Sequence, residues 1–449
     1  MKHKKDSCMK RKSVTTLLIA ILAQIGFAQT FDKTKLDNYF HTLEKNNKFM
    51  GSVAVSKNGE ILYKKSIGFA DVENNVSASE NSKYRIGSIS KSFTTVLILK
   101  ALEENRLDLN QTIDKWFPEI ENAKRISVKH LLSHRSGIHN FTDDEDYLTW
   151  NTQPKTEKEM VEMIAKGGSD FNPDSKAGYS NSNFVLLTYI LEKVFSKSYS
   201  DLLHKYIVKP IGLTNTYVFG KIDPTNNECK SYRFAGTWKL EPETDFSIPL
   251  GAGAIISTPC DLTKFADALF GGKLLTSESL KIMKTIKDGY GFGLFQFPFY
   301  ERLGYGHTGG IDGFSSVYCH FDDEKISYAL LSNGTNINNN DISIAVFSSI
   351  YRTAYDIPVF TSFTVTSEDL DKYLGLYASE QVALKISITK VGNRLIAQGT
   401  GQPAFSLEAT EKDQFTFDQA GVKLEFNPIE KTMILFQGGG VIKFSKEGK

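Results

Sequence analysis

Cysteine is scarce, with four in 449 residues: Cys8, Cys229, Cys260 and Cys319. Cys8 belongs to the extreme N-terminus, so an odd and widely spaced set remains. That excludes a disulfide framework and leaves buried thiols or at most one bridge. An excess of one charge is missing too. Lys and Arg number 53 against 52 Asp and Glu, a formal net charge of +1, which offers no footprint for nucleic acid or an acidic polymer. No second long apolar run follows the N-terminal one, so no membrane span is expected beyond it. Repeats and low-complexity tracts are absent. His130 and His134 lie four apart but have no Glu between them in a zinc-protease pattern and no evident third ligand. No metal and no cofactor is expected. What remains is ordinary globular material, 41% hydrophobic and 23% charged. At roughly 100–200 residues per domain it is enough for two or three domains.

The N-terminus is uneven. Lys2, Lys4, Lys5, Lys10, Arg11 and Lys12 crowd together, and Val14 to Phe27 is almost wholly apolar. Gly26 and Ala28 are the small residues at −3 and −1 of a cut before Gln29. This is the layout of a secretory signal peptide. The apolar run is shorter than the roughly 18 residues a spanning helix needs, and Cys8 precedes it, the wrong side for lipidation. Residues 1–28 are therefore expected to be cleaved, leaving a periplasmic or secreted protein of net charge about −4.

Lys33 to Lys45 has Leu36, Tyr39, Phe40 and Leu43 on one helical face. Gly51–Ser56 and Ile61–Ile67 read as strands joined at Asn58-Gly59, two residues that tolerate positive φ in a tight hairpin. Ser90 to Leu102 reads as a buried helix. From about Leu107 to Phe219 the pattern is helical with polar loops. Thr258-Pro259-Cys260-Asp261 opens another helix with a cap, a first-turn proline and an acid at the positive end of the dipole. Ser315–Phe321 and Ile326–Ser332 read as paired strands, and Ile342–Tyr355 as a closing helix. Beyond Pro358 the alternation is strand-like, as in Leu384, Ile386 and Ile388, and suggests a small β-barrel or sandwich. The expected division is 29–357 and 358–449.

The segment with chemistry is Arg85-Ile-Gly-Ser88-Ile-Ser-Lys91. On a helix, Ser88 and Lys91 stand one turn apart on one face. A serine hydroxyl is a weak nucleophile, and a desolvated, neutral lysine beside it can take its proton. The spacing alone carries little, since Ser7–Lys10 and Ser387–Lys390 share it, the latter in a strand pattern that points the two residues to opposite faces. Two further segments supply context. In Ala177-Gly-Tyr179-Ser-Asn181 a phenol and an amide can be aimed into a cleft before an apolar helix. In Gly304-Tyr-Gly-His307-Thr308-Gly309-Gly310 the glycines allow a substrate backbone to approach and leave amide N–H groups for an oxyanion.

These segments, in this order, resemble the serine β-lactamase and penicillin-binding-protein superfamily, and within it the class C β-lactamase, esterase and D-aminopeptidase branch. The resemblance spans about Phe40 to Tyr355. It includes Lys129-His-Leu-Leu-Ser-His-Arg-Ser-Gly137, Leu107 to Asp114, and Gly251-Ala-Gly253 with Ser257-Thr258-Pro259. It implies an α+β fold: a two-lobed domain with an antiparallel sheet flanked by helices and a helical insert. The small all-β C-terminal region resembles lipocalin-like domains fused to some of these hydrolases. It implies that Ser88 is the nucleophile and Lys91 its activator. Tyr179 would be the base in acylation and the acid towards the leaving group. Asn181 would position substrate and lysine, and the N–H groups of Ser88 and Gly310 would form the oxyanion hole.

One departure carries information. Where β-lactamases of this fold have Lys-Thr-Gly, this chain has His307-Thr308-Gly309. A lysine there is a permanent charge for a substrate carboxylate, whereas histidine is only partly charged near neutrality. The expected substrates are therefore D-amino-acid peptides (of the D-Ala-D-Ala carboxypeptidase or D-aminopeptidase type, including peptidoglycan-derived ones) or small acyl esters. A class C-like β-lactamase is the nearest alternative. An inactive binder of peptides or cell-wall fragments is the alternative from another class. Tyr290-Gly-Phe-Gly293 reads as an aromatic strand supporting the cleft, Asp143–Asp146 as a solvated loop at its edge, and Asn333 as either a turn residue or a cleft residue.

Overall fold

The computed structural model describes residues 31–361 and 363–448, so the segment read as a signal peptide lies outside the described residues. Six antiparallel strands form the main sheet, in the order Phe295–Phe299, Arg302–Ile311, Phe314–Phe321, Ile326–Thr335, Phe49–Lys57 and Glu60–Ile67. Strands distant in sequence thus meet at its centre, with Val53 opposite Leu330 and Val55 opposite Tyr328. The hairpin turns at Asn58 (φ +54°) and Gly59 (φ +84°), the positive-φ pair its dipeptide demands.

Both faces of the sheet are covered, and the pleat sorts the side chains between them. Tyr328 and Leu330 join a core with Leu36, Phe40 and Val346, from the helices Lys33–Lys45 and Asn339–Tyr351. Ala329 and Leu331 join the larger core on the opposite face, with Val96 and Phe265. That core surrounds the helix Ser90–Glu103, in which every residue from Ser90 to Leu99 is buried. Phe93 stacks on Phe265 of the helix Pro259–Phe270 at 3.8 Å between centroids. Each such side chain contributes about 1.5–3 kcal/mol. The helix is polar as well as buried at its start, and those groups need partners. Ser92 Oγ donates to the Gly293 carbonyl at 2.6 Å, and Thr94 Oγ1 to the Gly251 carbonyl at 2.7 Å. Gly293 has φ +60°, and a Cβ there would sit 2.7 Å from the Lys91 carbonyl. Tyr290–Gly293 is accordingly a turn pressed on the buried helix, outside any strand.

In the sequence, the stretch between the first two strands of the sheet and the last four builds the helical lobe, including Glu157–Gly167 and Asn181–Phe195. Thr258 caps Pro259–Phe270, its hydroxyl accepting from the Asp261 N–H at 3.2 Å. After the closing helix, side chains as far as Ile357 and Phe360 pack on the larger body, and from Val365 onward they pack on a separate core. That core fills a nine-stranded, barrel-like antiparallel sheet running from Gly375 to Lys446. Lys48 ties it to the larger body, its Nζ 2.7 Å from Glu408 and 2.9 Å from Asp418. Cys229 and Cys319 are buried thiols, Cys260 is half-buried, and all three are free. Among the described residues no helix is long and apolar enough to cross a membrane.

Candidate active site

Ser88 sits at the middle of a single 3-10 turn, Gly87–Ile89, that feeds directly into the buried helix. Lys91 is one turn further on and fully buried. Its Nζ lies 2.9 Å from Ser88 Oγ, 2.7 Å from Asn181 Oδ1 and 2.7 Å from the Ala252 carbonyl. No carboxylate is among these partners, and burial holds the Lys91 pKa well below the ordinary lysine value. A neutral amine has two N–H bonds and one lone pair. The amide oxygen and the carbonyl can only accept, so they take the N–H bonds and leave the lone pair for the Ser88 hydroxyl.

Tyr179 stands beside this pair, its ring 5.0 Å from Lys91 Nζ. Burial pushes its phenol well above the ordinary value, with the Ser88 side chain acting in the opposite direction and Tyr290 reinforcing the rise. Burial therefore favours the proton on Tyr179 and the lone pair on Lys91. Tyr179 is stacked on His134, with centroids 4.4 Å apart. His134 has φ +53° just beyond the helix Val128–Leu132. Its Nδ1 accepts the Ser180 N–H at 3.2 Å, and burial holds it neutral. His130 Nδ1 instead caps its own helix by accepting the Ser127 N–H. The two histidines thus share no face, and His134 braces the backbone next to Tyr179. Removing an acceptor from a buried N–H costs about 1–3 kcal/mol. We expect His134→Ala to lower stability by that amount in urea denaturation and to reduce kcat more than it raises KM.

Asn181 opens the helix Asn181–Phe195. Its backbone N–H is held by Asn140 Oδ1 at 2.9 Å and its Nδ2 by Thr142 Oγ1 at 3.0 Å, which turns Oδ1 to Lys91. Gly310 approaches Ser88 from the strand Arg302–Ile311. Gly87 has φ +49°, and a Cβ on it would fall 2.7 Å from the Gly310 oxygen and 2.8 Å from its nitrogen. Gly309 presses on the same turn, a Cβ there meeting the Ile86 carbonyl at 2.0 Å.

The same strand corrects two expectations. His307 is buried against Phe295, with centroids 4.3 Å apart, and its Nδ1 bonds the Thr308 carbonyl. Burial, then the nearby Lys91, lower its pKa to about 3, so it is neutral rather than partly charged at ordinary pH. Thr308 points the other way. Its side chain is exposed and lines a cavity with Phe297, Tyr300 and Ser343 that does not include Ser88. Alternation along the strand separates it from His307. Asn333 is neither in a turn nor at the cleft: its Nδ2 donates to the carbonyls of Phe69 (2.9 Å) and Lys230 (2.8 Å).

Ser88, Asn181 and Gly310 open into a cleft of about 690 Å³. Thr142, Tyr147 and Leu148, flanking the acidic run, form one wall. The charged residues lining it are Glu241 and Asp312, both acidic. Asp312 accepts from Thr244 Oγ1 at 2.6 Å and from Arg85 Nη1 at 3.1 Å, and Arg85 also reaches Glu243 at 2.9 Å. Burial raises the Asp312 pKa against these partners. Arg85 is itself only 1% exposed. Breaking a buried pair from one side costs about 3–5 kcal/mol, so Arg85→Met should lower the unfolding free energy by that much in urea melts. The Ala252 carbonyl, Glu241 and Asp312 are parts of the site that motif spacing did not single out, and His134, weighed from its spacing only as half of a metal pair, proves to brace Tyr179. A backbone carbonyl leaves no residue-type signal, and the two acids arrive from segments remote in sequence.

Comparison with known proteins gives the chain's relatives. The Beta-lactamase family model matches residues 36–346. Penicillin-binding protein 4* of Bacillus subtilis (strain 168) is 26% identical over 443 residues, 90% of this chain and 96% of that protein. The teichoic acid D-alanine hydrolase of Staphylococcus aureus (strain MRSA252) is 28% identical over 69% of this chain and 75% of its own length. Among solved structures, a D-amino acid amidase from Ochrobactrum anthropi SV3 superposes with a TM-score of 0.61 at 25% identity, covering 71% of this chain and 99% of that one.

Proposed function

The chain belongs to the Beta-lactamase family of serine hydrolases, and from that premise we propose that it is an exported hydrolase that releases D-amino acids from amides or esters through an acyl-enzyme on Ser88. The observation that carries the reading is the buried, carboxylate-free environment of Lys91, which lowers its pKa, at 2.9 Å from Ser88 Oγ. Lys91 takes the Ser88 proton as Oγ attacks the substrate carbonyl carbon. The N–H groups of Ser88 and Gly310 face the resulting oxyanion. Tyr179 gives its proton to the leaving nitrogen or oxygen as the bond to it breaks, and recovers one from protonated Lys91. Water then attacks the ester and passes a proton through the same pair, and Ser88 Oγ leaves with it. Tyr179 thus serves as acid, and the role of base in acylation falls to Lys91.

The charge of the cleft favours the substrate class. Glu241 and Asp312 suit a free α-ammonium group. Neutral His307 offers nothing to a carboxylate where β-lactamases of this fold place lysine. The relatives named for D-alanine and D-amino acid amide hydrolysis point the same way. Export rests on the pattern of residues 1–28, and the mature protein should begin at Gln29 on N-terminal sequencing. The test of function is parallel hydrolysis of D-alanine p-nitroanilide, p-nitrophenyl butyrate and nitrocefin by residues 29–449, with Ser88→Ala as control. D-alanine p-nitroanilide should be turned over with kcat/KM at least about 100-fold above nitrocefin, a margin of roughly 2.7 kcal/mol. Preference for nitrocefin would sink the substrate reading, and equal rates for wild type and Ser88→Ala would sink the nucleophile.

A further inference from the structure

The barrel-like sheet and residues 233–235 of the larger body line an open cavity of about 490 Å³ that shares no lining residue with the Ser88 cleft. Its volume falls in the roughly 300–1,000 Å³ range of small-molecule sites. Much of its wall is made by the strand positions Ile386, Ala397, Val422 and Leu424, with Leu384 just ahead of its strand. An open, largely apolar space of this size offers a hydrocarbon chain surface to cover. The polar side chains in its lining are Gln402, Ser406, Gln419, Gln437 and Arg233, and Arg233 alone among the lining residues is charged. Arg233 reaches the cavity from the hairpin Tyr232–Phe234 / Trp238–Leu240 of the larger body.

Arg233 makes the cavity more than a void. Its Nε lies 3.0 Å from Glu241 Oε1. Arg233 lines the barrel cavity and Glu241 lines the Ser88 cleft, so a single ion pair has one end in each space. Arg233 is 63% exposed, so the pair contributes little to stability and can be exchanged for another anion at small cost. We infer that the barrel cavity binds a single-chain anionic amphiphile, a long-chain carboxylate, with its hydrocarbon against the apolar wall and its head group on Arg233. A carboxylate that takes Arg233 releases Glu241 to the cleft. There the freed acid strengthens the attraction for a cationic substrate. Binding stands independently of the function proposed for Ser88, and the kinetic consequence rests on it.

The test is calorimetric titration of residues 29–449 with laurate, with dodecanol as the uncharged chain and butyrate as the short anion. Laurate should bind saturably at one site, dodecanol at least tenfold more weakly, and butyrate not at all. Arg233→Ala should weaken laurate about tenfold and leave dodecanol unchanged, and Ala397→Phe should abolish both by filling the cavity. Arg233 is exposed, so its variant reads the site even if the Ala397→Phe protein fails to fold. Absence of saturable laurate binding, or laurate binding indifferent to Arg233→Ala, overturns the site. Saturating laurate should also lower KM for D-alanine p-nitroanilide severalfold and leave that for uncharged p-nitrophenyl butyrate unmoved. Laurate binding with both KM values unmoved overturns the coupling alone, whereas no turnover of either substrate counts against the function proposed for Ser88 and leaves the titration to judge the site.

Discussion

Lys91→Arg is expected to lower kcat on D-alanine p-nitroanilide by about four orders of magnitude, on the scale set by losing one member of a catalytic unit. Arginine keeps the length and the donors but stays protonated in proteins. It can satisfy Asn181 Oδ1 and the Ala252 carbonyl and still present no lone pair to Ser88. The conservative change is thus the severe one. A lysine that served only as a fixed charge would tolerate it far better, with KM rather than kcat moving. Single-turnover measurement of the acyl-enzyme separates the two cases, since loss of the base slows acylation itself.

The same lowered pKa sets a pH dependence. The reactive form of Lys91 is the unprotonated one, so kcat/KM should rise as pH rises through the lowered Lys91 value and be lost below it. His307, with a pKa of about 3, is neutral near neutrality and contributes no second limb there. Stability follows the same sign. Between the lowered folded value and the ordinary lysine value near 10.4, the unfolded chain binds more protons than the folded one, so unfolding free energy rises with pH in that window. Lys91→Met should lose that slope in urea melts at stepped pH. A retained slope would mean that Lys91 is charged in the fold, and the assignment of the base would fall with it.

Much of this arrangement is legible in the order of residues alone. Helical register alone sets Ser88 beside Lys91, and the family resemblance implies that Tyr179 and Asn181 join them. The alternating Leu384, Ile386 and Ile388 announce a barrel wall. Other parts depend on tertiary contact. Whether His307 carries charge is decided by Phe295 and Lys91, which surround it only after three strands and a helix have assembled. Thr308 shares a motif with His307, but the pleat sends it to the opposite face. The acidity of the cleft comes from Glu241 and Asp312, 71 residues apart in the numbering, each tied to a different arginine. His134 owes its place to a left-handed backbone step beyond its helix, where a helical reading of His130 to His134 would have set the two rings on one face.

Gly87→Ala should be nearly as damaging as loss of the base, although the new methyl group touches no substrate. At φ +49° an L side chain is strained, at about 1–2 kcal/mol. The larger effect is steric, because the Cβ would lie 2.7–2.9 Å from the oxygen, nitrogen and carbon of Gly310. None of these is the end of a flexible side chain. Relief requires the turn Gly87–Ile89 and the strand Arg302–Ile311 to separate, and those two elements carry the two N–H groups proposed to face the oxyanion. Loss of one such donor costs about 10²–10³ in kcat, and here their spacing is spoiled together. The expected result is a folded protein, judged by circular dichroism and a Tm lowered by several degrees, with kcat down at least 10²-fold. Ser88 should still be labelled slowly by a fluorophosphonate, because Lys91 keeps its Asn181 and Ala252 partners. Wild-type turnover in Gly87→Ala would show that the oxyanion is held elsewhere, and would remove Gly310 from the reaction.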